Sequence, residues 1–146
     1  MNLLRIITII FIIVESSNVY ALYFKKSSTR FNSTGVFSAL KKANEDPEIS
    51  NFVKYLINWV AGVKVIIIGL LLVITILGNP LTQWYSILAL IVAISTFYLG
   101  LFPIIRKMEH NDQLEQKNYS KILLVMITSM IIGFTIGLIV EFPSGT

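Results

Sequence analysis

The chain has 146 residues, of which 55% are hydrophobic and only 14% charged, and its formal net charge is +4 at pH 7. Soluble domains carry about a quarter charged residues, so a chain this short and apolar has too little polar surface to cover its own core. With no cysteine in the sequence, disulfides, thiolate metal sites and cysteine nucleophiles are excluded.

Four hydrophobic stretches are long enough to cross a bilayer, which requires about 20 residues for a helix. They cover residues 3–24, 55–77, 81–105 and 122–140. A membrane strand needs only about 9–11 alternating residues, and lipid offers no partner for unpaired backbone groups. The sequence therefore predicts an all-α fold: one domain over residues 1–146, built as an integral membrane bundle of four transmembrane helices.

The first stretch permits a second interpretation. Residues 1–21 also have the features of a signal peptide: Arg5, an apolar run, and the small-residue cleavage pattern of 19–21. Cleavage would leave three helices and would place both basic loops outside the cell, against the positive-inside rule. We therefore predict that the first helix is retained, with cleavage as the alternative.

The segment between the first two helices contains a short amphipathic pattern. Val36, Phe37 and Leu40 fall on one side of a helical stretch, which predicts a cytoplasmic amphipathic segment in the headgroup layer. A solvated linker is the alternative. Further on, 46–48 reads Asp-Pro-Glu, which supplies an N-cap acceptor, a proline at the first helical position and an acid in the first turn. The second helix is thus predicted to begin near Pro47.

Basic residues predict the orientation of the bundle. The first loop with its flanks carries six of them and the third loop four, whereas the turn at 78–80 carries none. The positive-inside rule places loops 25–54 and 106–121 in the cytoplasm and both termini outside. These basic residues are Lys25, Lys26, Arg30, Lys41, Lys42 and Lys54 in the first loop, and Arg106, Lys107, Lys117 and Lys121 in the third.

Small residues recur at helical spacing in the last two helices. Helices in lipid associate through close backbone approach, so these residues predict a tight pair between the third and fourth helices. A homodimer formed through the GxxxG pattern of the fourth helix is the alternative. The candidate packing residues are Ala89, Ala93 and Gly100 in the third helix, and Ser129, Gly133 and Gly137 in the fourth.

Glu15 and Lys64 are charged residues deep inside predicted spans. Each lies nine residues from the cytoplasmic end of its helix, at Phe24 and Tyr55. At about 1.5 Å per residue, both are about 13–14 Å deep, near the midplane. An unpaired charge there costs about 2.5–3.5 kcal/mol on insertion scales, so we expect the two side chains to meet.

Other polar residues extend this pair into a predicted polar seam. Thr8 and Asn18 share a face of the first helix with Glu15, and Asn58 aligns with Lys64 on the second. The seam has three interpretations. It is a buried ion pair that fixes the register of two helices, or a site where Glu15 takes up and releases a proton. In the third, the two residues lie at other depths, so that Lys64 extends to the interface and Glu15 is neutral.

The chain resembles small multidrug-resistance transporters in its length and in the glutamate midway along the first of four helices. In that family such a glutamate couples protons and cations. The resemblance implies a transport role for Glu15. Three features depart from that pattern. Lys64 lies in the apolar layer, a loop of about thirty residues follows the first helix, and the family's tryptophan-containing motif is absent. We therefore do not assign the chain to this family.

Signals for other functions are weak. Glu109, His110 and Asp112 lie together in the third loop, but they lack the spacing of a metal site and a second histidine. No phosphate-binding loop or nucleophile elbow occurs. We thus expect a non-enzymatic membrane component without cofactor or metal, in contact with the bilayer and with a second copy or a larger membrane complex, and without nucleic-acid binding. A small proton-coupled transporter or permease that uses Glu15 is the alternative.

Overall fold

The computed structural model describes residues 2–26, 28 and 34–142, and over these residues the secondary structure is helical. Four helical segments are long and apolar enough to cross a membrane, which confirms the predicted all-α class with four potential spans. Arg30 of the first loop lies outside the described residues. The helices are α1 (Leu3–Phe24), α2 (Ser38–Ala43), α3 (Pro47–Leu77), α4 (Pro80–Ser95), α5 (Phe97–His110) and α6 (Tyr119–Val140).

The start of α3 follows the cap that the sequence predicts. The Asp46 carboxylate accepts hydrogen bonds from the backbone N–H groups of Glu48 at 2.8 Å and Ile49 at 3.3 Å. Pro47 occupies the first helical position, where its missing N–H costs nothing. The helix begins at Pro47 as predicted, so α3 extends well below the 55–77 span.

The third span is interrupted, which the sequence analysis did not predict. We expected a continuous helix over 81–105, but α4 ends at Ser95 and α5 begins at Phe97. The Ser95 hydroxyl donates to the Ile91 carbonyl at 2.8 Å, and the Thr96 hydroxyl to the Ala93 carbonyl at 2.7 Å. The backbone of Thr96 keeps helical dihedral angles, φ −61° and ψ −19°, so the interruption is confined to one residue.

The N-terminal helix α1 lies at the centre of the packing. It contacts both α3 and α6, while α4 and α5 each pack on α6. Of the four spans, α1 has the largest buried share. Phe11 of α1 and Phe134 of α6 meet edge-to-face with ring centroids 5.4 Å apart. The main core cluster comprises Leu4, Phe11, Ile12, Leu71, Ile87, Phe134 and Leu138.

The third and fourth spans contact each other, but most of the small residues predicted for that contact are exposed. The two spans do pack, but Ile87, Phe134 and Leu138 fill the contact. Ala89, Ala93, Gly100 and Ser129 are exposed, and a Cβ at Gly100 or Gly133 would meet no atom within 4 Å. Gly137 packs on α1 instead.

The first and third loops meet on one side of the bundle. Phe37 and Leu114 form an isolated antiparallel bridge, and the Glu115 backbone N–H donates to the Val36 carbonyl at 2.8 Å. Lys41 and Glu115 form an ion pair at 3.0 Å. The described basic residues of both loops therefore lie at the same end of the four spans.

The apolar side of the amphipathic segment faces protein. Val36 is fully buried with Ile105, Tyr119 and Leu123. Leu40, on α2, packs with the cluster that joins α1 to α3. Val36 therefore packs inside the protein, whereas Phe37 and Leu40 stay partly exposed, and the place of the segment in the headgroup layer stays a prediction.

At the opposite end, Gln83 of α4 joins three spans. Its side-chain amide donates to the carbonyls of Gly78 at 2.8 Å and Thr75 at 3.2 Å, which α3 leaves open at its C-terminus. Its side-chain oxygen accepts from Arg5 Nε at 3.1 Å. Gln83 is only 4% exposed, so water does not replace these bonds.

We expect Gln83→Ala to lower the free energy of unfolding by about 1–3 kcal/mol, because buried carbonyls and the Arg5 guanidinium lose their partner. Denaturation of the purified protein in detergent, followed by circular dichroism, measures this change. Thr82→Ala, at the exposed neighbouring position, is the control and should have little effect. Equal stability of the two variants would contradict the role of Gln83.

Candidate functional site

The close contact of α1 with α3 positions Glu15 and Lys64. Leu22 of α1 packs against Ile57 and Ala61 of α3, and Ala61 is fully buried. Its short side chain lets the two helices approach. Lys64 follows Ala61 by three residues and Glu15 precedes Leu22 by seven, so both return to the same face of their helices.

The two charged side chains form an ion pair between the spans. Lys64 Nζ donates to Glu15 Oε2 at 2.5 Å. The Glu15 side chain is 18% exposed and that of Lys64 26%. In a region that is otherwise apolar, each charge neutralises the other, and the pair ties the middle of α1 to the middle of α3.

A cavity of about 590 Å³ lies beside this pair. Residues from α1, α3, α4, α5 and α6 form its wall. Glu15 and Lys64 are the charged residues of this wall, which is otherwise mainly apolar. Small-molecule sites in proteins occupy about 300–1,000 Å³ and combine such apolar walls with a few polar groups.

The predicted polar seam is shorter in the structure. Asn18 is 6% exposed and lines the cavity with the charged pair. Thr8 is buried elsewhere, and its hydroxyl donates to the Leu4 carbonyl of its own helix at 2.8 Å. Asn58 is exposed and accepts from Lys26 Nζ at 3.0 Å, near the loop end of α1. Of the five seam residues, the structure brings together Glu15, Asn18 and Lys64.

The cavity is not predicted from the sequence, although two small residues indicate it. Ala93 of α4 and Gly100 of α5 were assigned to helix packing, but both line the cavity. Small residues leave space whether or not another helix fills it. Sequence spacing cannot distinguish a close helix contact from an opening, because that depends on the side chains across the gap.

The three polar residues of the third loop do not converge. The Glu109 carboxylate accepts a hydrogen bond from the Ser120 hydroxyl, whereas His110 and Asp112 are exposed. Within residues 2–26, 28 and 34–142, no group of three or more potential ligands is arranged to hold a metal ion.

Comparison with known proteins identifies no relative: the chain matches no family model, no curated protein and no solved structure. Function must therefore be inferred from the geometry of this chain alone.

Proposed function

We propose that the chain is a non-enzymatic integral membrane protein, in which the Glu15–Lys64 pair fixes α1 against α3. The observation that carries this proposal is the apolar outer surface of four long helices. In the most apolar stretch of each span, between 11% and 39% of the residues are buried, so most of the side chains there face outward. Ile76, Leu99 and Ile139, for example, are 68%, 86% and 71% exposed. A surface of this kind is stable in lipid and promotes aggregation in water.

The proposed orientation places loops 25–54 and 106–121 in the cytoplasm and both termini outside. Its basis is the positive-inside rule, applied to two basic loops that pair with each other at one end of the bundle. The turn between α3 and α4 carries no basic residue and lies at the other end.

Single cysteines test this orientation, since the native chain has none. We expect cysteines at Lys42 and Lys117 to be protected from a membrane-impermeant maleimide in intact cells, and one at Thr82 to react. Permeabilised cells provide the control, in which all three positions should react. If the cysteines at 42 and 117 reacted from opposite sides of the membrane, the proposed bundle would be contradicted. It would also be contradicted if neither of them reacted after permeabilisation.

Retention of α1 forms part of the proposal. α1 supplies Leu4, Phe11 and Ile12 to the main core cluster, and cleavage after Ala21 would remove all of them. It would also remove Glu15 and leave the Lys64 ammonium in the apolar layer. The intact mass of the protein purified from membranes should therefore include residues 1–21.

A second candidate function is a small proton-coupled transporter or permease that uses Glu15. The observation in its favour is that Glu15 and Lys64 line the cavity of about 590 Å³. Glu15→Gln separates the two functions. Loss of transport with unchanged stability favours the transporter, whereas loss of stability favours the structural pair.

The proposed partners are the bilayer and a second copy of the chain or a larger membrane complex; we propose no nucleic-acid partner. Gly133 and Ser129 support association through α6, because Ser129 is exposed and the space around Gly133 is open. Such small-residue faces bring membrane helices into close contact.

A further inference from the structure

The cavity beside the charged pair is larger than an ion pair requires. Folded interiors are packed to crystal density and contain few voids larger than a water molecule. The space of about 590 Å³ beside the pair is far larger than such a void, and it is open on one side because several residues of its wall are exposed. An apolar molecule bound in this opening would gain dispersion contacts with the apolar residues of its wall.

The apolar residues that line the cavity indicate that the larger part of a bound molecule is hydrocarbon. Ile68 of α3, Ile94 of α4, Phe97 of α5 and Met130 of α6 surround the space. These side chains offer no strong hydrogen bonds and favour a flexible hydrocarbon. Methionine in particular adapts to irregular apolar shapes.

The charges of Glu15 and Lys64 indicate which polar group of a bound molecule can lie beside them. Glu15 and Lys64 already neutralise each other across 2.5 Å, so the cavity has no net charge from these residues. A charged ligand would lose its hydration without gaining a net counter-charge, which is costly. A hydroxyl or amide head can instead donate to the Glu15 carboxylate, which has about four acceptor positions.

The cavity opens on the flank of the bundle. Val14, Ile67 and Leu101 line it and are 44%, 41% and 53% exposed. Val14 and Ile67 lie at the level of the charged pair, far from the ends of α1 and α3. In a protein that spans the bilayer, an opening at this level faces the hydrocarbon.

We propose that this cavity binds an uncharged amphiphile, with a hydrocarbon body among the apolar side chains and a hydroxyl or amide head beside Glu15 and Lys64. The proposal rests on the membrane location given under Proposed function. Two sources share this chemistry: a neutral lipid of the bilayer, such as a diacylglycerol, and a dissolved long-chain alcohol or amide.

Photolabelling in phosphatidylcholine vesicles tests the proposal. The probes are a long-chain alcohol, a carboxylic acid and an alkylammonium ion of equal chain length, each with a diazirine on the chain. We expect the alcohol to label residues that line the cavity, as mapped by mass spectrometry, and the two charged probes to label them much less. Equal or stronger labelling by a charged probe would overturn the uncharged head.

Two matched pairs of variants locate the labelling. Gly100→Leu and Ala93→Phe place new side chains in the cavity, where a Cβ at Gly100 meets no atom within 4 Å. Gly69→Leu and Ala89→Phe add the same bulk at exposed positions outside it. The proposal expects loss of labelling in the first pair alone. Persistence of labelling in both cavity variants would overturn it.

Competition distinguishes the two sources. Displacement of the probe by diacylglycerol in the vesicles identifies a bilayer lipid, and displacement by a soluble medium-chain alcohol alone identifies a dissolved ligand. Displacement by neither overturns the proposal. Its failure is distinguishable from failure of the membrane proposal, because the cysteine labelling reports on the spans without involving the cavity.

Discussion

Glu15→Gln is expected to lower the free energy of unfolding by about 3 kcal/mol in detergent. The substitution removes the negative charge that neutralises the Lys64 ammonium while keeping the shape of the side chain. Breaking one partner of a buried ion pair costs about 3–5 kcal/mol in soluble proteins. The lower end of that energy range applies here, because the side chains of Glu15 and Lys64 are not fully buried, at 18% and 26% exposed.

A double-mutant cycle shows whether this loss belongs to the pair. In Glu15→Gln/Lys64→Met neither charge remains, so we expect stability to return close to that of the wild type. Glu115→Gln is the control, since it breaks the Lys41–Glu115 pair, whose side chains are 75% and 34% exposed. Exposed pairs contribute about 0–1 kcal/mol. Additive losses in the double variant would show that the two residues act independently.

Gly137→Leu is expected to disrupt the contact of α6 with α1. A Cβ at Gly137 would lie 2.9 Å from Leu4 Cδ1 and 3.3 Å from Ile7 Cδ1, with Leu4 Cα 3.6 Å away. Leu4 is 2% exposed and has little room to move. Overpacking of a filled core costs about 1–3 kcal/mol, and the larger leucine side chain favours the upper end of that range.

Gly133→Leu provides the matched control for this prediction. It lies one turn earlier on α6, and a Cβ there would meet no atom within 4 Å. Thermal unfolding of both variants in the same detergent measures the difference. We expect a large loss for Gly137→Leu and a small one for Gly133→Leu. The reverse order would place the close contact on the other glycine and contradict the packing of α1 against α6.

The helices were predictable because they depend on local sequence. Uninterrupted apolar runs set the four spans, and the Asp46–Pro47 cap set the start of α3. The break at Thr96 was not predicted, since serine and threonine inside an apolar run are usually compatible with a continuous helix. Thr8, Thr75 and Thr135 bond to the preceding turn inside continuous helices, so this bonding alone does not mark a break.

The Glu15–Lys64 pair could be predicted from the depth of the two residues in the membrane. The contacts of the other polar residues of the seam could not. Glu15 and Lys64 lie at equal depth from the same side, and the cost of an unpaired charge in the apolar layer favours their contact. The partners of Asn58 and Thr8 depend on helix rotation, which sequence spacing does not determine. The same limitation explains why Gly137 was assigned to the wrong neighbour.

The ion pair between α1 and α3 is the central claim, and a dipolar-recoupling measurement by solid-state NMR in lipid bilayers tests it most directly. With lysine labelled at Nζ with ¹⁵N and glutamate at Cδ with ¹³C, a direct contact dephases the Lys64 signal. The Lys41–Glu115 pair contributes a second such signal, so the assignment needs two variants. The account predicts dephasing of Lys64 that persists in Glu115→Gln and disappears in Glu15→Gln. A Lys64 signal without dephasing in the wild-type protein would contradict the account.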